Sequence, residues 1–294
     1  GAQYPGMGQE LAQCSPAAAE IFAKLDALRP GTSAQCFGGT DEELKETKNT
    51  QPCMFAVELA AAAALEEGGL RADMAAGFSL GEIGALTYTR AVDLETGFHL
   101  VCRRGELMQA AAEEQPTAMA AVLKLSNEEV EQICAQFAQV YPVNYNCPGQ
   151  VSVACAKEQL APFSAAVKAA GGRALPLKVR GGFHSPFMAT AAQGFAQVLE
   201  ECRVGQPEMP LYSNRTGAVY EGDPKPLLSQ QIASPVRWET IVRNMIAAGA
   251  DTFVELGPGK TLCGLIEKID KTVKTYALST QADLETILKE VKGC

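Results

Sequence analysis

The sequence predicts an α/β protein in which a large domain with a mostly parallel sheet carries a smaller inserted domain. Strand and helix patterns alternate over most of the chain, which favours a parallel sheet with helices on both faces. A short apolar run ends in Gly77-Phe78-Ser79-Leu80-Gly81, and a helical pattern follows at once. Between about 116 and 179 the elements instead follow the order β-α-β-β-α-β.

These observations divide the chain into two parts. We assign residues 1–115 and 180–294 to a catalytic domain similar to the α/β-hydrolase fold, because G-x-S-x-G after a strand is typical of its nucleophile elbow. We assign residues 116–179 to a ferredoxin-like subdomain, because that order of elements is its signature.

The elements before the insertion are predicted from capping and turn residues and from the spacing of apolar residues. Thr50 begins a helix with Pro52 in its first turn, and its almost wholly apolar interior places it in the core. Residues 74–78 form a short strand. Asp93 caps a helix to about residue 114, on which Gly105 lies in the apolar stripe and indicates close approach to a neighbour.

The inserted part and the remainder follow from the same signals. In the insertion we predict strands over 117–125, 140–146, 150–155 and 173–179, and helices over 127–137 and 157–170. After it we predict a helix to about 201, a helix over 235–248, strands over 252–256 and 273–279, and a C-terminal helix. The Gly-Lys-Thr that follows residue 258 is not a phosphate loop, because Val254 occupies the position of the first glycine.

Bulk composition excludes several classes of protein. A chain of 294 residues buries roughly 75% of its unfolded surface and needs no disulfides. The net charge of −9, without basic runs, argues against a nucleic-acid partner. Ten scattered cysteines without a C-x-x-C indicate reduced thiols, and no apolar run reaches ~18 residues. We therefore expect a cytoplasmic protein that does not enter a membrane. We also expect it to be a monomer.

Ser79 is the candidate nucleophile, since the elbow exposes its hydroxyl at the start of a helix. The free N–H groups at that helix end can stabilise the negative charge that develops on a substrate oxygen. A serine needs a base. Of the two histidines, His99 belongs to a solvated helical face, whereas His184 lies in a glycine-rich loop. No acidic residue stands out to orient His184. A backbone or amide carbonyl could orient the ring instead, which would make Ser79 and His184 a dyad and not part of a triad.

Arg104 is the candidate anion-binding residue. Its neighbours at helical spacing are apolar, so its guanidinium leaves a partly apolar surface and requires an anionic partner. That partner is either a carboxylate of the protein or one of a ligand. Arg103 instead lies on the solvated face, three residues before Glu106.

Eight motifs in order across the chain resemble those of the malonyl-CoA:acyl carrier protein transacylase family of type II fatty acid synthesis. They are Gly1-Ala2-Gln3-Tyr4-Pro5-Gly6-Met7-Gly8, Thr50-Gln51-Pro52, Gly77-Phe78-Ser79-Leu80-Gly81-Glu82, Arg104-Gly105-x-x-Met108-Gln109, Asn144-x-Asn146-x-Pro148-Gly149-Gln150, Phe183-His184-Ser185-Pro186, Gln231-x-x-x-Pro235-Val236-x-Trp238 and Glu255-x-Gly257-Pro258-Gly259-Lys260.

The resemblance implies roles for individual residues. Ser79 would carry the malonyl group as an ester and His184 would be its base, oriented by the main-chain carbonyl of Gln231. Arg104 would pair with the free malonyl carboxylate. The oxyanion hole would be formed by the backbone N–H groups of Gln3 and Leu80, and Phe183 would crowd a 2-methyl group.

The resemblance also implies the reaction and its partners. Malonyl-CoA would be the substrate, the phosphopantetheine thiol of acyl carrier protein the acceptor, and no cofactor would be required. As a separate hypothesis, the basic residues Lys178 and Arg180 near the His184 loop, together with Lys260, dock the acidic carrier protein. The alternatives are a thioesterase or esterase of the α/β-hydrolase type, an acyltransferase of other specificity such as methylmalonyl, and a non-catalytic scaffold that binds carrier protein.

Two departures from the family pattern affect these expectations. Phe78 stands where the family usually has histidine, so any hydrogen bond made by that histidine is absent. The first strand and the Gly-Gln that usually precede Gly1 are also absent from the sequence, which leads us to expect a missing N-terminal piece. Loss of that piece would weaken the assignment of Gln3.

Overall fold

The N-terminal part of the chain is helical. The computed structural model describes residues 2–179 and 181–291. Its first helices are α1 (Gln9–Cys14), α2 (Pro16–Leu28), α3 (Thr32–Gly38), α4 (Asp41–Lys45) and α5 (Thr47–Glu67). No element was predicted from the sequence for residues 9–46, although two caps signal helices there. Ser15 Oγ accepts from Ala18 N, and Thr40 and Glu43 form a capping box.

The position of Pro52 in α5 was predicted wrongly. The helix begins at Thr47, so Pro52 lies inside it, beyond the first turn. A proline there removes one backbone hydrogen bond. The helix tolerates this because it is buried along most of its length, and tertiary packing outweighs a local propensity.

Two elements flank the turn at Ser79, and a third, long helix follows them. They are β1 (Ala75–Ala76), α6 (Gly81–Tyr88) and α7 (Leu94–Glu113). Asp93 caps α7 as predicted, since its Oδ1 accepts from Thr96 N at 2.7 Å. At Gly105 an added Cβ would lie 2.9 Å from the carbonyl oxygen of Thr47, so α7 and α5 approach closely as expected.

The insertion forms one antiparallel sheet with its own core. Its elements are β2 (Thr117–Leu123), α8 (Asn127–Cys134), β3 (Val140–Cys147), β4 (Gln150–Ala156), α9 (Leu160–Ala169) and β5 (Arg173–Pro176). The strands lie in the order β3-β4-β2-β5, and every neighbouring pair is antiparallel. Val122, Val151, Phe163 and Val167 are fully buried between the sheet and its helices.

The remaining chain adds short parallel ladders. Its elements are α10 (Ala189–Glu201), β6 (Leu211–Tyr212), α11 (Lys225–Gln231), α12 (Trp238–Ala247), β7 (Thr252–Leu256), α13 (Thr261–Ile269), β8 (Lys274–Leu278) and α14 (Gln281–Val291). β1 pairs with β6 and β7 with β8, both in parallel. Parallel pairing was predicted, but it forms two two-stranded ladders because β1 and β6 are only two residues long.

The whole is an α/β protein with parallel and antiparallel pairing. A large core joins α5 to α2, α7 and α10, and this packing places the middle of α7 beside the start of α5. The nine cysteines in the described ranges are free thiols, while Cys294 lies outside them. Within those ranges no helix combines the length and apolar character that a membrane crossing requires.

Candidate active site

Ser79 occupies a strained turn between β1 and α6. Its φ is 55°, in the left-handed region that non-glycine residues seldom adopt. Gly77 makes this turn possible, because a Cβ there would lie 1.9 Å from the carbonyl carbon of Gly81. The same reasoning fails for Gly81, where an added Cβ would meet nothing within 4 Å.

His184 contacts the Ser79 hydroxyl and a main-chain carbonyl. Ser79 Oγ lies 2.7 Å from His184 Nε2, and His184 Nδ1 lies 3.0 Å from the carbonyl oxygen of Gln231. A carbonyl oxygen only accepts, so Nδ1 carries the proton and Nε2 is free to accept from the hydroxyl. The structure thus brings together the predicted nucleophile, base and orienting carbonyl.

The environment keeps His184 neutral. The side chain is 3% exposed, and burial lowers the pKa of His184 to about 4, helped by the positive charge of Arg104. A neutral imidazole is the form that accepts a proton. His184 therefore meets the electrostatic requirement for a base at neutral pH.

Arg104 points from α7 at the reacting hydroxyl. It is 1% exposed, and its Nη2 donates to Ser79 Oγ at 3.3 Å and to Gln231 Oε1 at 2.7 Å. Nη1 donates to Gln51 Oε1 at 2.9 Å. In the described part of the chain no carboxylate lies within ion-pair distance of Arg104, and its buried Nε has no acceptor. Burial lowers the pKa of Arg104 to about 10, so it stays charged near pH 7.

Four further residues hold these groups and were not assigned roles from the sequence. Gln51 holds Arg104 from α5, as described above. Asn214 Oδ1 accepts from Ser79 N at 2.6 Å, and Asn214 N donates to Glu82 Oε1 at 2.9 Å. Tyr220 also donates to Glu82, at 2.6 Å. Gln51 and Glu82 lie inside motifs that could have found them, whereas Asn214 and Tyr220 carry no local signal.

The two predicted oxyanion-hole residues, Gln3 and Leu80, differ in their position relative to Ser79. Leu80 is the N-cap residue of α6, and its N–H has no protein acceptor within the described ranges. Gln3 precedes α1, and no hydrogen bond in the described ranges joins it to Ser79. Ala2 lies near Gly259, so this segment runs beside the glycine turn after β7.

The structure gives a packing role to Phe78, the residue that departs from the family pattern. Its ring centroid lies 5.5 Å from that of Trp238, with 58° between the planes, in the core around α12 and α13. This is an aromatic contact that a phenylalanine satisfies without a hydrogen-bond partner. Phe183 is half-buried and packs against both the large core and the apolar cluster under the insertion.

The predicted docking residues are accessible where described. Lys178 and Lys260 are both exposed, and Arg180 lies outside the described residues. The two neighbours of Lys178, Leu177 and Val179, are 36% and 38% exposed. His99 is exposed, as expected for a solvated face, and Arg103 pairs with Glu106.

A model of the acyl transferase domain matches residues 1–288. The chain belongs to the acyl transferase family. It is 36% identical over 300 residues to the malonyl CoA-acyl carrier protein transacylase of Bacillus subtilis (strain 168), covering 99% of this chain and 95% of that protein. The resemblance drawn from the eight motifs and the expectation of an acyltransferase are thus confirmed.

Solved structures of this family share the fold. A malonyl CoA-acyl carrier protein transacylase from Clostridium perfringens superposes with a TM-score of 0.96 at 32% identity, covering 99% of this chain and 94% of that one. A malonyl-transacylase in complex with a type II polyketide synthase acyl-carrier protein superposes with a TM-score of 0.94 at 36% identity, covering 98% and 96%.

Proposed function

We propose that the chain transfers a malonyl group from malonyl-CoA to the phosphopantetheine thiol of acyl carrier protein through a malonyl-Ser79 ester. Relatives that match almost the whole chain bear the name of this activity, and one solved relative is bound to its carrier protein. The reaction is a ping-pong acyl transfer, because the ester forms before the second thiol arrives.

The first half-reaction uses the contacts of Ser79. As Oγ attacks the thioester carbonyl, its proton passes to His184 Nε2, and the Gln231 carbonyl holds the imidazolium by accepting from Nδ1. Collapse of the tetrahedral intermediate breaks the C–S bond. The proton on Nε2 then goes to the departing coenzyme A sulfur, which leaves the ester and a neutral imidazole.

The second half-reaction reverses these steps with a new thiol. His184 Nε2 takes the proton of the phosphopantetheine thiol, and the sulfur attacks the ester carbonyl. Collapse breaks the bond to Oγ, which recovers the proton from Nε2. In both half-reactions the oxyanion is assigned to the N–H groups of Leu80 and Gln3. The assignment of Leu80 is the better supported of the two, because its N–H lies at the start of α6 and has no protein acceptor in the described ranges.

One observation carries the choice of malonyl: the buried, charged Arg104 has its Nη2 3.3 Å from Ser79 Oγ, and among the described residues no carboxylate lies within ion-pair distance of it. The free carboxylate of a malonyl group supplies the missing anion and an acceptor for the orphaned Nε. Binding of this carboxylate also offsets the positive charge that lowers the pKa of His184, so the substrate makes the base stronger.

The hydrolase alternative gives these features no purpose. A simple esterase has no need of a buried guanidinium beside its nucleophile, and it usually orients its histidine with a carboxylate. The ring nitrogen of His184 instead contacts a main-chain carbonyl.

The proposed enzyme has two structural parts. We propose an α/β-hydrolase-like domain of residues 1–115 and 180–294 and a ferredoxin-like subdomain of residues 116–179. The separate core beneath the antiparallel sheet and its strand order support the second part. We also propose that the enzyme acts as a cytoplasmic monomer without a cofactor.

Intact mass spectrometry after brief exposure to malonyl-CoA tests the proposal. We expect a single malonyl adduct on the wild type and none on Ser79→Ala. Arg104→Ala should form the adduct about 100-fold more slowly, since a charge-assisted pair worth ~3 kcal/mol is lost. Arg103→Ala is the matched control, because Arg103 pairs with Glu106 on the solvated face of the same helix and should not change the rate.

Two outcomes would contradict the proposal. Absence of a malonyl adduct on the wild type would exclude the acyl-enzyme. If the adduct forms but addition of pantetheine thiol releases mainly free malonate, the hydrolase alternative would be favoured.

A further inference from the structure

Glu82 is a buried carboxylate that none of the transfer steps uses. It is 0% exposed, and its Oε1 accepts from Tyr220 Oη at 2.6 Å and from Asn214 N at 2.9 Å. Its Oε2 accepts from Gln231 Nε2 at 2.7 Å. In the described part of the chain no cationic group lies within ion-pair distance of it. Burying a carboxylate against neutral donors is costly, so its presence calls for a reason.

The neighbours of this carboxylate lead to the reacting groups. The amide of Gln231 has its nitrogen toward the carboxylate and toward the carbonyl oxygen of Ser79, at 2.7 Å in both cases. Its oxygen therefore faces Arg104 Nη2, also at 2.7 Å. The main-chain carbonyl of the same residue orients His184. One residue, Gln231, thus links the carboxylate to the nucleophile and the anion-binding guanidinium through its side-chain amide and to the base through its main-chain carbonyl.

We propose that Glu82 is a positioning residue for substrate selection: its carboxylate fixes which end of the Gln231 amide faces Arg104 and so holds the guanidinium ready for the malonyl carboxylate. This inference rests on the function proposed above. The orientation of the amide matters because an arginine only donates, so the side chain of Gln231 supports it only through Oε1.

An amide in place of the carboxylate removes this control. In Glu82→Gln the two donors from Tyr220 and Asn214 keep the new side-chain oxygen at the position of Oε1. The new NH₂ group then takes the place of Oε2 and faces Gln231 Nε2, donor against donor.

Rotation of Gln231 does not relieve this conflict. Turning its amide over would put Nε2 against the guanidinium of Arg104 and Oε1 against the carbonyl oxygen of Ser79. Each arrangement contains at least one mismatched buried pair, which costs more than the loss of a hydrogen bond. Repulsion in either arrangement pushes the Gln231 amide from its place against Arg104 Nη2, so we expect the guanidinium to shift while Ser79 and His184 keep their chemical groups.

The test compares adduct formation from malonyl-CoA and from acetyl-CoA at graded concentrations, in wild type, Glu82→Gln and a matched control. The control is Glu255→Gln, a second carboxylate held by neutral donors, the N–H groups of Leu262 and Cys263 at 3.0 and 2.8 Å. We expect Glu82→Gln to lower the malonyl-to-acetyl rate ratio by about tenfold or more, through a higher half-saturating concentration of malonyl-CoA. Glu255→Gln should leave the ratio within about twofold.

Equal loss of both acylation rates in folded Glu82→Gln would overturn the inference, because it would show a structural role alone. Should circular dichroism show that this variant does not fold, Tyr220→Phe decides instead. It removes one of the two donors that hold Oε1, so the carboxylate is held less firmly against Gln231 Nε2 and the ratio should fall by about threefold; an unchanged ratio would overturn the inference. A wild type that forms no malonyl adduct would refute the proposed function itself and is recognised separately.

Discussion

At the scale of single residues, the site depends on a histidine that stays neutral and whose Nδ1 contacts a main-chain carbonyl instead of a carboxylate. Burial and the charge of Arg104 lower the pKa of His184 to about 4. Because the folded value lies below the ordinary value near 6.5, the unfolded chain binds the proton more readily between these two pH values. Titration of His184 therefore lowers the free energy of unfolding as the pH falls from about 6.5 to about 4, and it has no effect on stability above that range.

The same shift gives a direct prediction for the imidazole resonances. The chain has two histidines, so the ¹H–¹³C NMR signals of the His184 ring can be assigned by comparison with His99→Gln. We expect the His184 ring to titrate near pH 4 in the wild type. In Arg104→Gln its midpoint should rise because a neighbouring positive charge is lost, but not to the ordinary value, since burial is the larger cause. A wild-type midpoint near 6.5 would contradict the electrostatic description of the site.

Residue chemistry also explains which parts of the site were visible in the sequence. Ser79, His184 and Arg104 could be selected because each residue type stands in an unusual local setting: a glycine turn, a glycine-rich loop and an apolar helical face. Asn214 was missed because its role comes from contacts across more than 130 positions of the chain, and the role of Glu82, although it lies inside the elbow motif, depends on such contacts too. The spacing of residues carries no information about such contacts.

At the scale of elements, the two glycines around the nucleophile have different tasks although the motif treats them alike. Gly77 faces the backbone of Gly81 so closely that any side chain would displace the turn. Gly81 opens α6, and a Cβ there would have open space. The motif predicted that glycine is needed at both positions, and packing supports this for Gly77.

We predict opposite outcomes for alanine at these positions. Gly77→Ala should destabilise the protein by about 3 kcal/mol or more and abolish acylation, because overpacking against backbone cannot be relieved by a rotamer change. Gly81→Ala should change the free energy of unfolding by less than about 1 kcal/mol, and in the stabilising direction, since alanine is favoured in a helix. Urea unfolding of both variants measures this. Similar losses in the two would show that the turn is not limited by contact at Gly77.

The length of an element decides whether a sequence pattern can predict it. The antiparallel insertion was predicted in the correct order because its strands are seven or eight residues long except for β5. β1 spans two residues, too few for any periodicity to show, and its partner β6 is equally short. Their pairing is set by the packing of the surrounding helices, which lies beyond a local pattern.

At the scale of the whole molecule, the carrier protein must bring its thiol to Ser79 while the rest of it stays on the surface. The segment that leads to His184 offers a suitable surface, since Lys178 is exposed between the exposed Leu177 and Val179. Lys260 is exposed on the glycine turn after β7. The chain as a whole carries a net charge of −9, so two acidic proteins would repel one another unless local basic residues guide the encounter.

We therefore predict that Lys178→Glu combined with Lys260→Glu raises the KM for acyl carrier protein by about tenfold at low salt, with the difference shrinking as salt increases because exposed charges are screened. Acylation of Ser79 by malonyl-CoA, measured without carrier protein, should not change, because neither lysine contacts the buried site. Lys24→Glu is the matched control, an exposed lysine of α2 paired with Glu20. Transfer kinetics that are the same as wild type at every salt concentration would place the docking surface elsewhere.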